Sequence, residues 1–290
     1  MDLSAWKQKG TYFNYNGHNI FTVEEGKGET LLLIHGFPTA SWDWHKLWPE
    51  LTKQFHVLTF DMLGFGFSDK PKKYAYSIVD QANLIEALLT LKKVQQLHIF
   101  SHDYGDSVAQ ELLARFQERQ QKSEEGLILK SICLLNGGIF PGEHRPLLIQ
   151  KLLMGPFGSL IAQAFTRKKL AKNFRKIFGP ETQPTENELD SFWELMTYNE
   201  GKKVFHLLIR YMKERMVNKV RWEDALIQAR IPLRFINGNM DPISGKHVAD
   251  FYRSKVKEAD VVDLPKIGHF PLIEAPNEAL HHYMNFEKDL

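Results

Sequence analysis

The sequence predicts an α/β fold: a mostly parallel central sheet flanked by helices, with a helical cap inserted late in the chain. Three observations carry this. Apolar runs that read as buried strands alternate with segments of helical periodicity over most of the 290 residues. The alternation breaks near Gly137 and resumes near Ile231, and no convincing strand lies between 141 and about 222. Finally, the apolar run 97–100 ends in Ser101-His102-Asp103-Tyr104-Gly105 and passes into a helix with Val108, Ala109, Leu112 and Leu113 on one face. Strand, sharp turn and helix, with small residues two before and two after the centre, make a nucleophile elbow. Large side chains at 101 and 105 would collide with neighbouring backbone in so tight a turn.

Composition narrows the class. Hydrophobic residues make up 43% and charged residues 25%, which supports an ordinary core. The length suits one large α/β domain, with or without an inserted sub-domain. A net charge of +2 does not suggest nucleic acid as a partner. The single cysteine, Cys133, excludes an intrachain disulfide and reads as a buried structural thiol in Ile132-Cys133-Leu134-Leu135. No apolar stretch approaches the ~18–20 residues of a membrane span. The N-terminus carries no signal-peptide apolar region, so a cytoplasmic location is the simplest expectation. A homodimer is compatible with the sequence, which does not fix the oligomeric state.

In chain order, residues 11–15 and 19–24 alternate around Asn16-Gly17, a hairpin signal. Residues 31–34 read as a buried strand leading into His35-Gly36-Phe37-Pro38. A strand at 57–60 ends at Asp61, before the glycine-rich turn 63–71. Gly64-x-Gly66 without a following Gly-Lys-Ser reads as a structural turn, not a phosphate loop. Ser77 is placed to cap a helix to about 91, with Ile78, Ala82, Ile85, Leu88 and Leu89 on one face. The elbow helix follows, to about 120, and then a strand at 127–136. In the basic stretch 167–178, Leu170, Phe174, Ile177 and Phe178 share a face. Packing on the core explains that face better than an anionic membrane does. The α/β pattern resumes with a strand at 231–237, a helix near 246–255, a strand at 260–264 and a helix from about 277. Residues 1–140 and 226–290 are therefore read as the core, and 141–225 as the cap.

Sequence order supplies two partners for Asp103. In elbow folds the nucleophile, acid and base follow one another along the chain. Asp241 lies in Asn237-Gly238-Asn239-Met240-Asp241-Pro242, after one strand, and suits the acid. His269 lies in Ile267-Gly268-His269-Phe270-Pro271, after the next, and suits the base. A carboxylate is already ionised at neutral pH. It can attack an sp³ carbon bearing a leaving group, or a strained ring carbon, and form an alkyl ester. His269 would then activate water against that ester, with Asp241 fixing its tautomer. The expected oxyanion donors are the backbone N–H groups of Phe37 and Tyr104. Blander readings stand beside these. Asp103 could merely cap its helix, Asp241 could be a turn residue, and His269 a loop residue. Ser107, in Gly105-Asp106-Ser107-Val108-Ala109, imitates an elbow serine but sits about a turn too far along, and Ser101 is a weaker alternative still. His35, His98 and His102 lack metal-ligand spacing and read as structural, so no metal is expected.

These motifs, in this order, resemble the α/β-hydrolase superfamily, in its branch of epoxide hydrolases and haloalkane dehalogenases. The likeness covers nearly the whole chain and implies the α/β-hydrolase fold with no cofactor. Dehalogenases in that branch usually carry a halide-binding tryptophan after the nucleophile, where this chain has Tyr104. Phe37 offers no side-chain donor, which leaves Trp193 in the cap as a substitute. The His-Gly-Phe-Pro form is more like epoxide hydrolases, whose cap tyrosines protonate the epoxide oxygen. By that resemblance Tyr211 matches the second tyrosine. No tyrosine lies between 141 and 170, so His144 is the candidate for the first, with Tyr198 as a weaker alternative. The resemblance implies a small hydrophobic substrate, with epoxide hydrolysis to a diol the first reading and haloalkane dehalogenation the alternative. A non-catalytic binding or signalling protein on the same fold is the alternative of another class.

Overall fold

The computed structural model describes residues 1–288. Its strands are β1 (Thr11–Tyr15), β2 (His18–Glu25), β3 (Thr30–Ile34), β4 (His56–Phe60), β5 (Gln96–His102), β6 (Ile128–Leu135), β7 (Leu233–Gly238) and β8 (Asp260–Leu264). They form one sheet in the order β1-β2-β4-β3-β5-β6-β7-β8. β2 pairs antiparallel with β1 and β4, and every other neighbour pair is parallel. Parallel strands must be joined by crossovers, which is why strand and helix signals alternate in the sequence.

Local chemistry explains the expected elements. Asn16 and Gly17 both take positive φ, 50° and 84°, as a two-residue hairpin turn requires. Ser77 Oγ accepts from the Asp80 N–H at 3.0 Å and starts the helix Ile78–Leu91. Leu31, Leu32, Leu33 and Ile34 are all fully buried, since β3 lies between β4 and β5 in the interior of the sheet. On β5, Phe100 stacks on Tyr283 of the last helix at 4.4 Å and meets Trp44 at 5.0 Å. The short helix Leu3–Lys9 was not expected. It is capped by Asp2 and held by Trp6, which packs edge-on against Trp48 at 4.9 Å. Seven residues are too few to show a helical period.

Between β6 and β7 the chain adds no strand. It runs through helices that include Arg167–Ile177, Glu186–Thr197, Tyr211–Val217 and Lys219–Ile227. The expected boundary at 225 falls inside the last of these, which packs along the elbow helix Tyr104–Lys122. Helix Arg167–Ile177 buries Leu170, Ala171, Phe174 and Ile177, so its apolar face is spent on packing. Phe174, Phe178 and Phe192 from this helical segment all meet Phe270, at 5.5, 5.1 and 6.0 Å. That aromatic seam docks the segment beside His269. No helix among the described residues is long and apolar enough to cross a membrane.

Candidate active site

The elbow is built by steric exclusion. β5 ends at His102, Asp103 takes φ 49° and ψ −107°, and the helix begins at Tyr104. A non-glycine residue held there is strained, which aims the side chain out of the turn. Gly105 is required by close approach, because a Cβ there would stand 2.4 Å from the Ile34 carbonyl oxygen. Ser101 Oγ donates to Asp106 Oδ1 at 2.6 Å, a structural use. Ser107 lies one turn into the helix, away from the cavity that Asp103 lines.

The Asp103 carboxylate is held at both oxygens. Oδ2 accepts from the Phe37 N–H at 3.1 Å, while Oδ1 stands 3.8 Å from His269 Nε2. The Tyr104 N–H also favours the ionised form. Burial pushes the Asp103 pKa up, and His269 and the two N–H groups offset part of that. His35 fixes the Phe37 loop. Its Nε2 accepts from the Met62 N–H at 3.0 Å, so Nδ1 carries the proton and donates to the Gly36 carbonyl at 2.8 Å.

His269 and Asp241 meet as sequence order suggested. His269 Nδ1 lies 2.7 Å from Asp241 Oδ2. Burial alone would lower the His269 pKa, but Asp241 and then Asp103 overcome it and raise it to about 9. Burial likewise presses the Asp241 pKa upward, yet His269, the Ile243 N–H and Ser244 hold it below the usual carboxylate value. Asn136 adds a further bond, Nδ2 to Asp241 Oδ2 at 3.2 Å. Backbone contacts position the base as well. The His269 carbonyl faces His102 Nε2 at 2.7 Å, and its N–H donates to the Ile177 carbonyl at 2.8 Å. Glu274 accepts from the N–H groups of Gly179, Gly268 and Phe270 at 2.7, 2.9 and 2.9 Å.

A narrow cavity of about 70 Å³ opens on Asp103 and His269. Its wall is largely apolar, with Phe37, Phe165, Phe174, Met196 and Phe205, and Asn173 and Gln150 are polar exceptions. Two expected pocket residues do not line it. Trp193 lies beside Phe165 at 6.4 Å, under Lys202. On its helix Phe192 and Met196 take the inward positions, and Trp193 is turned about 100° from Phe192. Tyr198 instead packs on Phe67 at 5.1 Å, with Lys7 Nζ 4.6 Å above its ring. The helix ends at Thr197, and Asn199 and Glu200 follow with positive φ.

Tyr211 packs against Tyr104 and Phe37, which flank the Asp103 carboxylate, though it is not among the residues lining the cavity. It is buried, its ring lies 4.8 Å from Tyr104 and 5.8 Å from Phe37, and its hydroxyl has no hydrogen-bond partner among the described residues. Burial, then the Asp103 charge, pushes the pKa of that hydroxyl far up. His144 is one layer away, against Gly138 and Arg215. Burial and then the Arg215 charge lower its pKa to about 3, so it is neutral near pH 7 and carries no ready proton. Sequence reasoning missed Asn136, Ser244, Glu274 and Arg215. Only Asn136 gave a signal, as an asparagine before Gly137-Gly138 at the end of a strand.

The sheet order, the elbow and the Asp–His pair at successive strand ends define a hydrolase fold, and comparison with known proteins agrees. Residues 29–122 match the α/β hydrolase fold family, and with relatives matching it nearly end to end the chain belongs to that family. It is 41% identical to the mesoderm-specific transcript protein of Mus musculus, over 98% of this chain and 87% of that protein. It is 36% identical to LipZ of Mycobacterium tuberculosis, named as a hydrolase, over 94% of each chain. Solved structures of the same fold include the epoxide hydrolase CorEH (TM-score 0.76, 16% identity, 96% of this chain and 97% of that one). They also include a loop variant of the haloalkane dehalogenase DbeA from Bradyrhizobium elkanii (TM-score 0.76, 17% identity, 97% of each). At these identities the likeness is one of fold.

Proposed function

We propose that this protein hydrolyses an epoxide to a vicinal diol through an ester on Asp103. In this reading residues 141–225 serve as a cap over a small hydrophobic substrate. Asp103 Oδ1 attacks a ring carbon, the C–O bond breaks towards oxygen, and Tyr211 gives that oxygen its proton. Oδ2 becomes the ester carbonyl oxygen and remains in the hole of the Phe37 and Tyr104 N–H groups. His269 then takes a proton from water, which attacks the Asp103 carbonyl carbon. Collapse of the tetrahedral intermediate releases the diol oxygen, which recovers that proton from His269. The acid left on Asp103 returns its own proton to Tyr211, closing the cycle.

The electrostatics support this order. While Asp103 is ionised, its charge helps keep the His269 pKa high. Esterification removes that charge, so the His269 pKa falls, the ring releases its proton to solvent and becomes a base when water must be activated, and it regains a proton from solvent once Asp103 is again ionised.

The observation that favours epoxide over halide is the buried Tyr211, whose ring packs on Tyr104, the residue after Asp103, and whose hydroxyl has no hydrogen-bond partner among the described residues. An opening epoxide develops an alkoxide that needs a proton, whereas a departing halide needs N–H donors. No tryptophan is among the residues lining the cavity, and Tyr104 follows the nucleophile.

The test is covalent trapping. A His269→Gln variant is incubated with an aryl epoxide and separately with a bromoalkane, and the Asp103 peptide is weighed by mass spectrometry. The epoxide adduct should accumulate, and an Asp103→Asn variant should give none. An adduct from the bromide alone would transfer the proposal to dehalogenation. No adduct across a broad panel would favour a binding protein on the hydrolase fold.

A further inference from the structure

Arg215 stands one helical turn beyond Tyr211 and is 2% exposed. Its guanidinium carbon lies 5.8 Å from the centre of the Tyr211 ring. Among the described residues it forms no ion pair, and its Nη2 has no hydrogen-bond partner. The space it fills is kept for it by Gly138, where a Cβ would lie 2.1 Å from Nη2 and 2.7 Å from His144 Nδ1. Asp103 and Asp106 act on it only through space.

A buried cation with no paired anion is costly, and an apolar residue of the same size is commonly as stable or more so. Packing therefore does not account for an arginine here. The neighbouring hydroxyl does. When a buried tyrosine gives up its proton it becomes a phenolate in apolar surroundings, a charge that is prohibitive unless a cation faces it.

We propose that Arg215 is a positioning residue: the fixed counter-ion that lets Tyr211 protonate an oxygen leaving group. This deepens, and rests on, the reading of Asp103 as the ester-forming carboxylate. As the Asp103 Oδ1–carbon bond forms, the carbon–oxygen bond breaks and its electron pair goes to the substrate oxygen. That oxygen takes the Tyr211 proton, and the phenolate left behind faces Arg215. The proton returns from the Asp103 carboxylic acid after ester hydrolysis, so the step needs no other reactant. Only a substrate whose leaving atom is oxygen, held in a strained ring, uses this pair.

The experiment is a double-mutant cycle on the rate of Asp103 alkylation. Rapid quench and intact mass are used with an aryl epoxide, all variants carrying His269→Gln. With Tyr211 present, Arg215→Met should slow alkylation about 100-fold, the scale of losing one preorganised electrostatic group. Arg215→Lys, which keeps the charge, should stay within about 10-fold on the same scale. In a Tyr211→Phe background the same Arg215 substitutions should change the rate by less than about 3-fold, since the group they serve is gone. Equal slowing with and without Tyr211 would make Arg215 merely structural and overturn the proposal, as would an unchanged rate in Arg215→Met. If Arg215→Met fails to fold, the Arg215→Lys arm of the cycle decides. An absence of adduct when both Tyr211 and Arg215 are intact would defeat the ester reading itself, and is recognised before any Arg215 variant is made.

Discussion

The backbone N–H of His269 donates to the carbonyl of Ile177 at 2.8 Å, so the loop carrying the proposed base is bonded to the helical segment above it. Ile177 ends the helix Arg167–Ile177, and Gly179 just beyond it donates to Glu274 Oε2 at 2.7 Å. The helical segment and the His269 loop are thus one hydrogen-bonded unit at this point.

Gly268 is what permits that contact. A Cβ on it would lie 2.2 Å from the Ile177 oxygen and 2.5 Å from the Gly179 nitrogen. Gly268→Ala should force the two segments apart and cost about 1–3 kcal/mol in urea unfolding. Displacing His269 should also slow hydrolysis of the Asp103 ester, up to about 100-fold for a shift near 1 Å. Single-turnover decay of the ester measures this, and unchanged decay in a folded variant would refute it.

Asn136 sits at φ 42° at the end of β6. Its Nδ2 donates to Gly238 O and Asp241 Oδ2 at 3.1 and 3.2 Å, and its Oδ1 accepts from the Gly238 N–H at 2.7 Å. Asn136→Ala should lose about 2–3 kcal/mol, from unpaired buried groups and a disfavoured φ. Asn136→Gly relieves only the backbone part, so its urea midpoint should lie between those of Asn136→Ala and the parent protein.

Stability should depend on the charge of His269. Its folded pKa is raised from 6.5 to about 9. A raised pKa means the folded state holds the proton more tightly. The stabilisation is full below about pH 6.5 and lost as pH rises through about 9. The Tm advantage of the parent protein over His269→Gln should shrink across that window. An advantage that grew with pH would contradict the assigned pairing.

Phe205 narrows the cavity, with its ring 6.4 Å from that of Phe37. Phe205→Ala should lower stability by about 3–5 kcal/mol, the usual cost of deleting a buried ring. It should also shift the kcat/KM ratio of bulky to slender epoxides upward by roughly 10-fold or more. A ratio that did not move would place the substrate elsewhere.

The legible parts of this molecule are those written in short stretches. The Asn16-Gly17 hairpin, the Ser77 cap and the elbow each depend on a few adjacent residues whose backbone preferences are strong. Trp193 and Tyr198 failed as pocket residues for the converse reason. Which side of a helix faces a cavity depends on what the helix packs against, and Trp193 packs beside Phe165 while Tyr198 packs on Phe67, contacts that no local pattern records. Glu274 could not be found either, because one of its partners, Gly179, is 95 residues away in the chain.

The sequence alone determined the α/β alternation, the place of the helical insertion, and the order Asp103, Asp241, His269. It could do so because hydrophobic period and chain order are one-dimensional properties. Only the tertiary structure decided which side chains share the space around Asp103. It set Tyr211 against Tyr104 with Arg215 behind it, and it left Trp193 and Tyr198 outside the cavity lining. The physical reason is that burial and electrostatic pairing depend on distance through space. Folding sets those distances between residues that the chain itself keeps more than a hundred positions apart.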